Sequence, residues 1–311
     1  MSADATGVIH DIGYQRYEGP RLGRAYAVRS LYTHAVRTAF GFGRPGKAKA
    51  FPWSIFAIMM MVAIVFTVIR SQTGSVVQSY SEFVGSLWIL VVLFSAIVAP
   101  ELVSRDLRGG VLPLYFSRPL TRVDYALAKL AGLITAIFLL IAGPQTLMFV
   151  GGAFTLDGFH GIWNEFGRYT AGLATALLYA CVFGALSLLI SSLAGRRAVA
   201  AALTVGVYLV TFPIYGLLVG IAFGREASAT HTDQGGPLVL HGANATLAQL
   251  AGLVSPVQLV GNVSRWWFGH RLQEGEPDFL GPYGPIYFAV AVGLFVVCLI
   301  LLLLRYRKVA R

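Results

Sequence analysis

The chain has 311 residues, of which 56% are hydrophobic and only 12% charged, with a mean hydropathy of +0.69. Soluble domains carry about 25% charged residues, so this composition excludes an ordinary water-soluble enzyme and indicates a membrane protein. The formal net charge is +10, but the basic residues flank apolar runs and form no single patch, which argues against nucleic-acid binding.

The polar and basic N-terminal region contains one amphipathic stretch. Leu31, Tyr32 and Phe40 recur at helical spacing, whereas Arg29 and Arg37 take another face. We expect this elbow helix to lie in the headgroup layer with its arginines toward phosphates. The alternative is a solvated helix of a very small cytoplasmic domain. The glycine- and proline-rich stretch that follows is predicted to turn the chain into the membrane.

Six apolar runs approach the length of about 20 helical residues that a bilayer core requires. They are residues 53–69, 83–102, 130–154, 169–194, 199–223 and 283–304. No ionisable residue lies near the middle of any of them. We therefore predict an all-α polytopic membrane protein, with residues 1–50 as leader and elbow helix and residues 51–311 as the membrane domain.

The lysines and arginines between the runs predict the orientation of the chain. If the N-terminus is cytoplasmic, nineteen of them lie on the cytoplasmic side and five on the outer side. Because positive charge accumulates on the cytoplasmic side, both termini are predicted to be inside.

The last outer connection, residues 224–282, is too apolar in its middle for a free loop. Residues 245–267 read as two short helices interrupted by Pro256 that re-enter the outer leaflet, with Trp266 and Trp267 at the interface. A seventh span is the alternative, but it would place the basic C-terminal tail outside.

The connection between the second and third spans, residues 101–129, is unusually apolar for a cytoplasmic loop. Charged residues alternate with leucine, valine and aromatic side chains, and positions 107, 111, 114 and 115 fit one face of a short helix that Pro113 would bend. Exposed apolar side chains of this kind mark a contact with a partner. A short helix that carries them suits a groove on a soluble protein.

This connection resembles the first cytoplasmic loop of ABC-2 type transporter permeases, the membrane subunits of bacterial ABC exporters. An acidic residue closes the second span, two motifs follow, and a lysine opens the third span; in order these are Glu101, Arg108-Gly109-Gly110-Val111-Leu112, Ser117-Arg118-Pro119-Leu120 and Lys129. Some bacterial members also carry a leader similar to Ile9-His10-Asp11-Ile12-Gly13-Tyr14, with Tyr17, Gly19 and Arg21 after it. The six spans, the elbow helix and the short outer helices also match that family, so the resemblance covers most of the chain.

The resemblance implies that the connection contains a coupling helix, which docks on a separate ATP-binding subunit and passes its movements to the spans. The implied coupling residues are Glu101, Arg105, Asp106, Leu107, Arg108, Val111, Leu112, Leu114, Tyr115 and Phe116. The charged members of this set would form charge pairs near the joint. The alternative is a solvated loop whose arginines bind lipid phosphates.

Motifs of covalent chemistry are missing from the sequence. Residues 43–48 lack the spacing and the hydroxyl of a phosphate-binding loop, and the zinc-protease and serine-hydrolase motifs do not occur. The histidines lie in loops without ligand spacing, and Cys181 and Cys298 lie in apolar runs, so no metal site is predicted. We expect no catalysis and no cofactor on this chain, with ATP and Mg²⁺ held by the partner ATPase.

Three functions stay open at this stage. The first is the permease of an ATP-driven exporter in the bacterial inner membrane, in which this chain pairs with a second copy or a related permease and moves a hydrophobic or amphipathic substrate. The second is an ion-coupled secondary transporter, which broken helices at Pro144 and Pro213 would suit but which needs charges inside the spans. The third is an intramembrane hydrolase built on Ser187 or Ser191, although no histidine lies in any span.

Overall fold

A computed structural model describes residues 19, 22–43, 46–76, 78–108, 115, 120–155, 158–194, 196–229, 242–268 and 281–309. The elements formed by these residues are helical. In chain order the α-helices are α1 (Arg24–Ala39), α2 (Gly46–Thr73), α3 (Tyr80–Ser86), α4 (Trp88–Arg108), α5 (Arg122–Ala153), α6 (Gly158–Leu193), α7 (Arg197–Ala229), α8 (Gly242–Ala251), α9 (Pro256–Phe268) and α10 (Gly284–Val309). Short 3₁₀ helices cover Gly252–Val254 and Gly281–Tyr283.

Among the described residues, α2, α5, α6, α7 and α10 are each long and apolar enough to cross a membrane. Helices α3 and α4 form a sixth span if they are counted together. The pair is also long and apolar enough to cross a membrane, but it bends by 64° at Leu87. The predicted all-α, multi-pass architecture is therefore confirmed at the level of five or six spans. The second span is not the continuous helix expected over residues 83–102.

The first part of the broken second span, α3, has a start that the sequence defines locally. Ser79 accepts a hydrogen bond from the backbone N–H of Glu82, and the Glu82 carboxylate accepts one from the backbone N–H of Ser79, which forms a capping box. This box fixes where α3 begins, and α3 then ends after seven residues. The helix resumes at Trp88, whose ring stacks on Phe212 of α7 with centroids 5.0 Å apart.

Helices α5 and α6 form the centre of the bundle. In the most apolar window of each, 61% of the residues are buried, against 22% for α2 and α10 and 11% for α7. Both central helices are also longer than the apolar runs within them, because their charged and polar ends are helical too. The helix of the fourth span, α6, begins at Gly158 instead of the predicted residue 169, which places Glu165 inside the helix.

The bundle has two ends, which the contacts of its helices define. The near end is the end at which α4 and α10 stop and α5 and α7 start, and there Asp106 meets Lys129 and Glu101 meets Arg197. The far end is the opposite end, at which α2 and α5 stop and α6 starts.

Helix α1 covers the predicted elbow, and its apolar face packs against α5. Leu31 is buried, and the Tyr32 hydroxyl hydrogen-bonds with the Thr135 hydroxyl at 3.0 Å. Arg29 and Arg37 are exposed, as the amphipathic pattern predicts. Since protein covers the apolar face, a position in the headgroup layer stays a prediction that depends on the exposed arginines.

The turn from α1 into α2 lies where the glycines predict it. Gly41 and Gly43 have φ values of 73° and 80°, a region that favours glycine because it has no Cβ. The Trp53 indole N–H then donates to the backbone carbonyl of Phe40 at 3.2 Å, and the Phe40 ring also contacts Phe94 of α4. This aromatic contact fixes the angle at which the chain enters the first span.

The predicted pair of short helices in the last outer connection is present as α8 and α9. They have 10 and 13 residues, too few for either to cross a bilayer core. Pro256 is the first residue of α9, where its missing N–H has no helical partner to lose. Tyr287 donates to the Gln249 carbonyl at 2.6 Å and Tyr179 to the Val257 carbonyl at 3.2 Å, so both helices are tied to the bundle. Their depth in the outer leaflet stays a prediction.

Replacement of Gly172 by alanine tests how tightly α3 is held against α6. A Cβ at this position would overlap the Cβ of Tyr80, so Gly172→Ala forces the two helices apart. We expect a loss of about 1–3 kcal/mol in stability, seen as a lower melting temperature of the detergent-solubilised protein.

The matched control is Gly206→Ala on α7, where an added Cβ meets no atom within 4 Å. Alanine is the better helix former, so this variant should melt at or slightly above the wild-type temperature. Equal effects of the two substitutions would contradict the close approach of α3 and α6.

Candidate functional site

A buried ion pair lies at the near end, between α4 and α5. The Lys129 ammonium lies 2.8 Å from a carboxylate oxygen of Asp106, and only 3% and 16% of the two side chains are exposed. The Tyr125 hydroxyl donates to the same oxygen at 2.6 Å. Tyr125 and Lys129 are four residues apart, so both lie on one face of α5 and reach the same carboxylate. A buried pair with this extra hydrogen bond is costly to break, because either partner alone would be a stranded charge.

The Tyr125 ring connects this ion pair to two further parts of the chain. Its centroid lies 5.3 Å from that of Tyr306 in α10 and 5.6 Å from that of Tyr115. The Lys129 ammonium lies 5.4 Å from the same centroid, within the range of a cation–π contact. We call Asp106, Tyr115, Tyr125, Lys129 and Tyr306 the near-end junction. It joins α4, α5, α10 and the predicted coupling segment.

Three further polar contacts connect helices around the near-end junction. Glu101 forms an ion pair with Arg197, which joins α4 to the start of α7. Arg122 donates to the backbone carbonyl of Arg307 at 3.2 Å, which joins α5 to α10. Arg24 and Asp124 form the third contact, between α1 and α5.

The contact between Arg24 and Asp124 is bidentate. Two guanidinium N–H groups donate to the two carboxylate oxygens, each at 2.7 Å. Hydrogen bonding and the negative charge raise the pKa of Arg24 above its ordinary value. Asp124 also accepts from the Thr121 backbone N–H, so the carboxylate that caps α5 also holds the elbow helix.

The structure assigns positions to part of the predicted coupling set. Glu101 and Asp106 are in the ion pairs described above, and Tyr115 is half-buried against Tyr125. The backbone of residues 101–108 continues α4, so the first part of the segment is an extension of the second span. The side chains of Arg105, Leu107 and Arg108 and the whole of Val111, Leu112, Leu114 and Phe116 lie outside the described part of the chain.

Sequence reasoning missed most of the partners at the near end. The sequence places Lys129 at the opening of the third span and Arg197 among the cytoplasmic basic residues, but it indicates neither their partners nor a role for Tyr306. One signal was readable, because Thr121 and Asp124 have the spacing of a capping box.

A second polar cluster lies at the far end. Arg70 of α2 forms an ion pair with Glu165 of α6, and the Tyr80 hydroxyl donates to the same carboxylate at 2.6 Å. The Gln145 amide donates to the Tyr80 carbonyl at 2.8 Å. Arg168, whose side chain is 66% exposed, lies 3.7 Å from the other Glu165 oxygen. The cluster ties the first, third and fourth spans to α3. No pattern in the sequence links Arg70 to Glu165.

In the part of the chain that the structure describes, no three His, Cys, Asp or Glu residues are grouped to hold a metal ion. The buried charges instead pair at the two ends of the bundle. This distribution suits mechanical connections between helices.

Comparison with protein families identifies the chain. The family model described as ABC-2 family transporter protein matches residues 27–310, which is nearly the whole chain and extends from the first turn of α1 through α10. The chain belongs to the ABC-2 transporter family. A comparison with curated proteins found no match.

Membership of the ABC-2 family makes this multi-pass membrane protein the permease subunit of an ABC transporter. Such permeases are generally non-catalytic and generally work with an ABC ATP-binding subunit. The resemblance seen in residues 101–129 is thereby confirmed, and ion-coupled transport and intramembrane hydrolysis lose their support.

Replacement of Lys129 by methionine tests the ion pair of the near-end junction. Lys129→Met leaves the Asp106 carboxylate buried without its cation, with the Tyr125 hydroxyl as its remaining partner among the described residues. We expect a loss of about 3–5 kcal/mol in stability, measured as a lower melting temperature in detergent. Adding Asp106→Asn removes the stranded charge and should restore part of the loss.

Arg168→Met is the matched control, because it removes an exposed cation while its partner, Glu165, remains paired with Arg70. Exposed pairs contribute about 0–1 kcal/mol, so this variant should melt near the wild-type temperature. A Lys129→Met protein as stable as the control would show that the near-end pair is not a structural connection.

Proposed function

We propose that this ABC-2 family permease is the membrane half of an ATP-driven exporter, and that a separate ATPase docks on residues 101–116 at the near end. The observation that carries the proposal is the near-end junction. It provides a rigid contact between the segment that would bind the ATPase and α5, one of the two central helices of the bundle.

The near-end junction supports two different roles for residues of the coupling segment, namely attachment to the bundle and contact with the ATPase. Tyr115 packs inward on Tyr125, so we assign it the role of an anchor that holds the segment to the bundle. The ATPase contact is then assigned to Leu112 and Phe116, together with Val111 and Leu114. Apolar side chains next to an anchored residue suit a groove of a soluble partner.

The proposed path of movement runs along α5. A shift of the coupling segment acts on Asp106 through α4 and on Tyr125 through Tyr115. Both contacts act on one face of α5, and the buried charge pair resists separation. Since α5 also carries Gln145, which holds Tyr80, movement at the near end is passed to the far-end cluster. This rigid path is the mechanism that we propose for coupling.

A second copy of this chain is the proposed membrane partner. Helix α7 carries Gly216, Gly220 and Gly224 at intervals of four, which places them on one face of the helix. Among the described residues, an added Cβ at Gly216 or Gly220 meets no atom within 4 Å, and α7 is the least buried of the five helices that are long enough to span the membrane alone. Small residues at this spacing let two membrane helices approach closely. A related permease in place of the second copy is the alternative.

The proposed orientation and substrate follow from the distribution of charge. Both termini are placed in the cytoplasm of a bacterium, with the near end facing the ATPase, because the basic residues concentrate there. The described ion pairs lie at the ends of the bundle, so the spans suit a hydrophobic or amphipathic substrate. ATP and Mg²⁺ are assigned to the partner ATPase, with no cofactor on this chain.

The docking site is tested by co-purification with the ATPase. Leu112→Asp places a charge in the proposed apolar contact and should release the ATPase. The variant permease should still insert into the membrane and be solubilised in detergent like the wild type. The matched control is Tyr115→Phe, which keeps the ring on Tyr125 and should retain the ATPase in stoichiometric amount.

Unchanged association of the Leu112→Asp protein would remove the assignment of the docking site. The wider proposal has a separate test in proteoliposomes. Transport must stop when the ATPase is left out; transport that continues on an ion gradient alone would identify a secondary transporter.

The dimer contact is tested by Gly220→Leu in lipid nanodiscs that carry fluorescently labelled chains. The larger side chain should separate the two α7 helices and lower the fraction of particles that contain two copies. Ile214→Phe is the control, since it also enlarges an exposed α7 side chain but lies six residues before Gly220, about 120° away around the helix. An unchanged dimer fraction would contradict the α7 contact, and a wild type that stays monomeric would favour the related permease.

A further inference from the structure

An exposed aromatic stripe lies on the first turns of α6, at the far end of the bundle. Phe159, Trp163 and Phe166 recur at the spacing of one helix face and are 79%, 62% and 42% exposed. Their rings are stacked in sequence, with interplanar angles of 21° and 29°. Neither the proposed ATPase contact nor the α7 contact uses this surface.

The stripe continues the apolar surface of the central helices. Phe166 contacts both Phe149 of α5 and Tyr169, and those two rings are stacked with centroids 4.7 Å apart. Val150 beside them is 48% exposed, as a lipid-facing residue of a span would be. The aromatic surface is therefore the far end of a lipid-facing surface and not an isolated patch.

The length of α6 places the stripe near the edge of a bilayer. Its 36 residues extend about 54 Å at 1.5 Å per residue, whereas the hydrocarbon core is about 30 Å thick. One end of α6 must therefore reach the headgroup layer. Exposed polar residues lie on the adjoining face at the same turns, namely His160, Asn164 and Arg168.

A second aromatic group occurs at the same end of the bundle. Trp266, Trp267 and Phe268 at the end of α9 are each about two-fifths exposed, and Trp267 contacts Phe288 near the start of α10. Two separate aromatic groups at the same end of the bundle are accounted for by an interfacial layer that surrounds the protein.

We propose that the aromatic stripe of α6 binds the phospholipid interface of the far leaflet. Tryptophan suits this layer because its ring is apolar and its indole N–H finds a polar partner among the headgroups. Together with the α9 group, the stripe fixes the depth of the bundle in the bilayer. The inference needs only a membrane-spanning chain and does not depend on the proposed ATPase partner.

Depth-dependent fluorescence quenching tests the proposal. The full chain, with Trp163 as its sole tryptophan after Trp53→Phe, Trp88→Phe, Trp266→Phe and Trp267→Phe, is reconstituted into phosphatidylcholine–phosphatidylglycerol vesicles. Bromine atoms are placed either near the headgroups or near the ends of the acyl chains. We expect Trp163 to lose most of its emission to the shallow bromines, less to the deep ones, and little to an aqueous quencher.

A single substitution guards against misfolding of the sole-tryptophan chain. Trp163→Phe in the otherwise unchanged protein should remove more of the shallow-quenched emission than Trp88→Phe, because Trp88 is half-buried and stacked on Phe212. Quenching of Trp163 by the aqueous quencher alone would place the stripe in water and overturn the proposal. Protection from both kinds of quencher would place it against protein and overturn it equally.

Discussion

The near end of this permease depends on one buried contact, the ion pair between Lys129 and Asp106 with the Tyr125 hydroxyl on the same carboxylate. Two charges inside a mostly apolar bundle are tolerated only when each satisfies the other. This requirement fixes the rotation of α5 relative to α4 more strictly than apolar packing would, because apolar side chains accept many neighbours. The rings of Tyr115 and Tyr306 then meet Tyr125 as a consequence, and the coupling segment and the last span are brought to the same point.

The sequence is sufficient to predict the membrane spans, the helix before them and the pair of short helices before the last span. The apolar runs, the elbow pattern that includes Leu31 and Tyr32, and the helix pair interrupted by Pro256 each depend on local periodicity or on the geometry of one residue. The structure has helices in all these places, and the family match agrees with the resemblance in residues 101–129. The limits of the helices were less predictable. Hydropathy falls near Glu165 and Arg168, so the fourth span was predicted to begin after them.

The polar contacts across the bundle were beyond the reach of sequence reasoning. Whether Glu165 ends a helix or lies buried within one depends on Arg70, which is 95 residues away and carries no mark of its partner. The same holds for Arg197, which pairs with Glu101 only because α4 and α7 are neighbours at the near end. Pairing of this kind is a property of the tertiary arrangement, and a single sequence does not record it. The bend at Leu87 belongs to the same class, since α3 is held by contacts with α6.

The separation of Arg70 from Glu165 along the chain has a consequence for biosynthesis. Asp106 and Lys129 belong to consecutive spans, so their pair forms as soon as that hairpin has left the ribosome and inserted. Arg70 belongs to the first span and its partner to the fourth, and at roughly 5–20 residues per second the intervening 95 residues take about 5–20 seconds to synthesise. During that interval the Arg70 guanidinium lacks the Glu165 carboxylate, and water and lipid phosphates are the partners that the membrane surface offers to such a group. The contact that ties the first span to the fourth can therefore form only after the fourth has been synthesised.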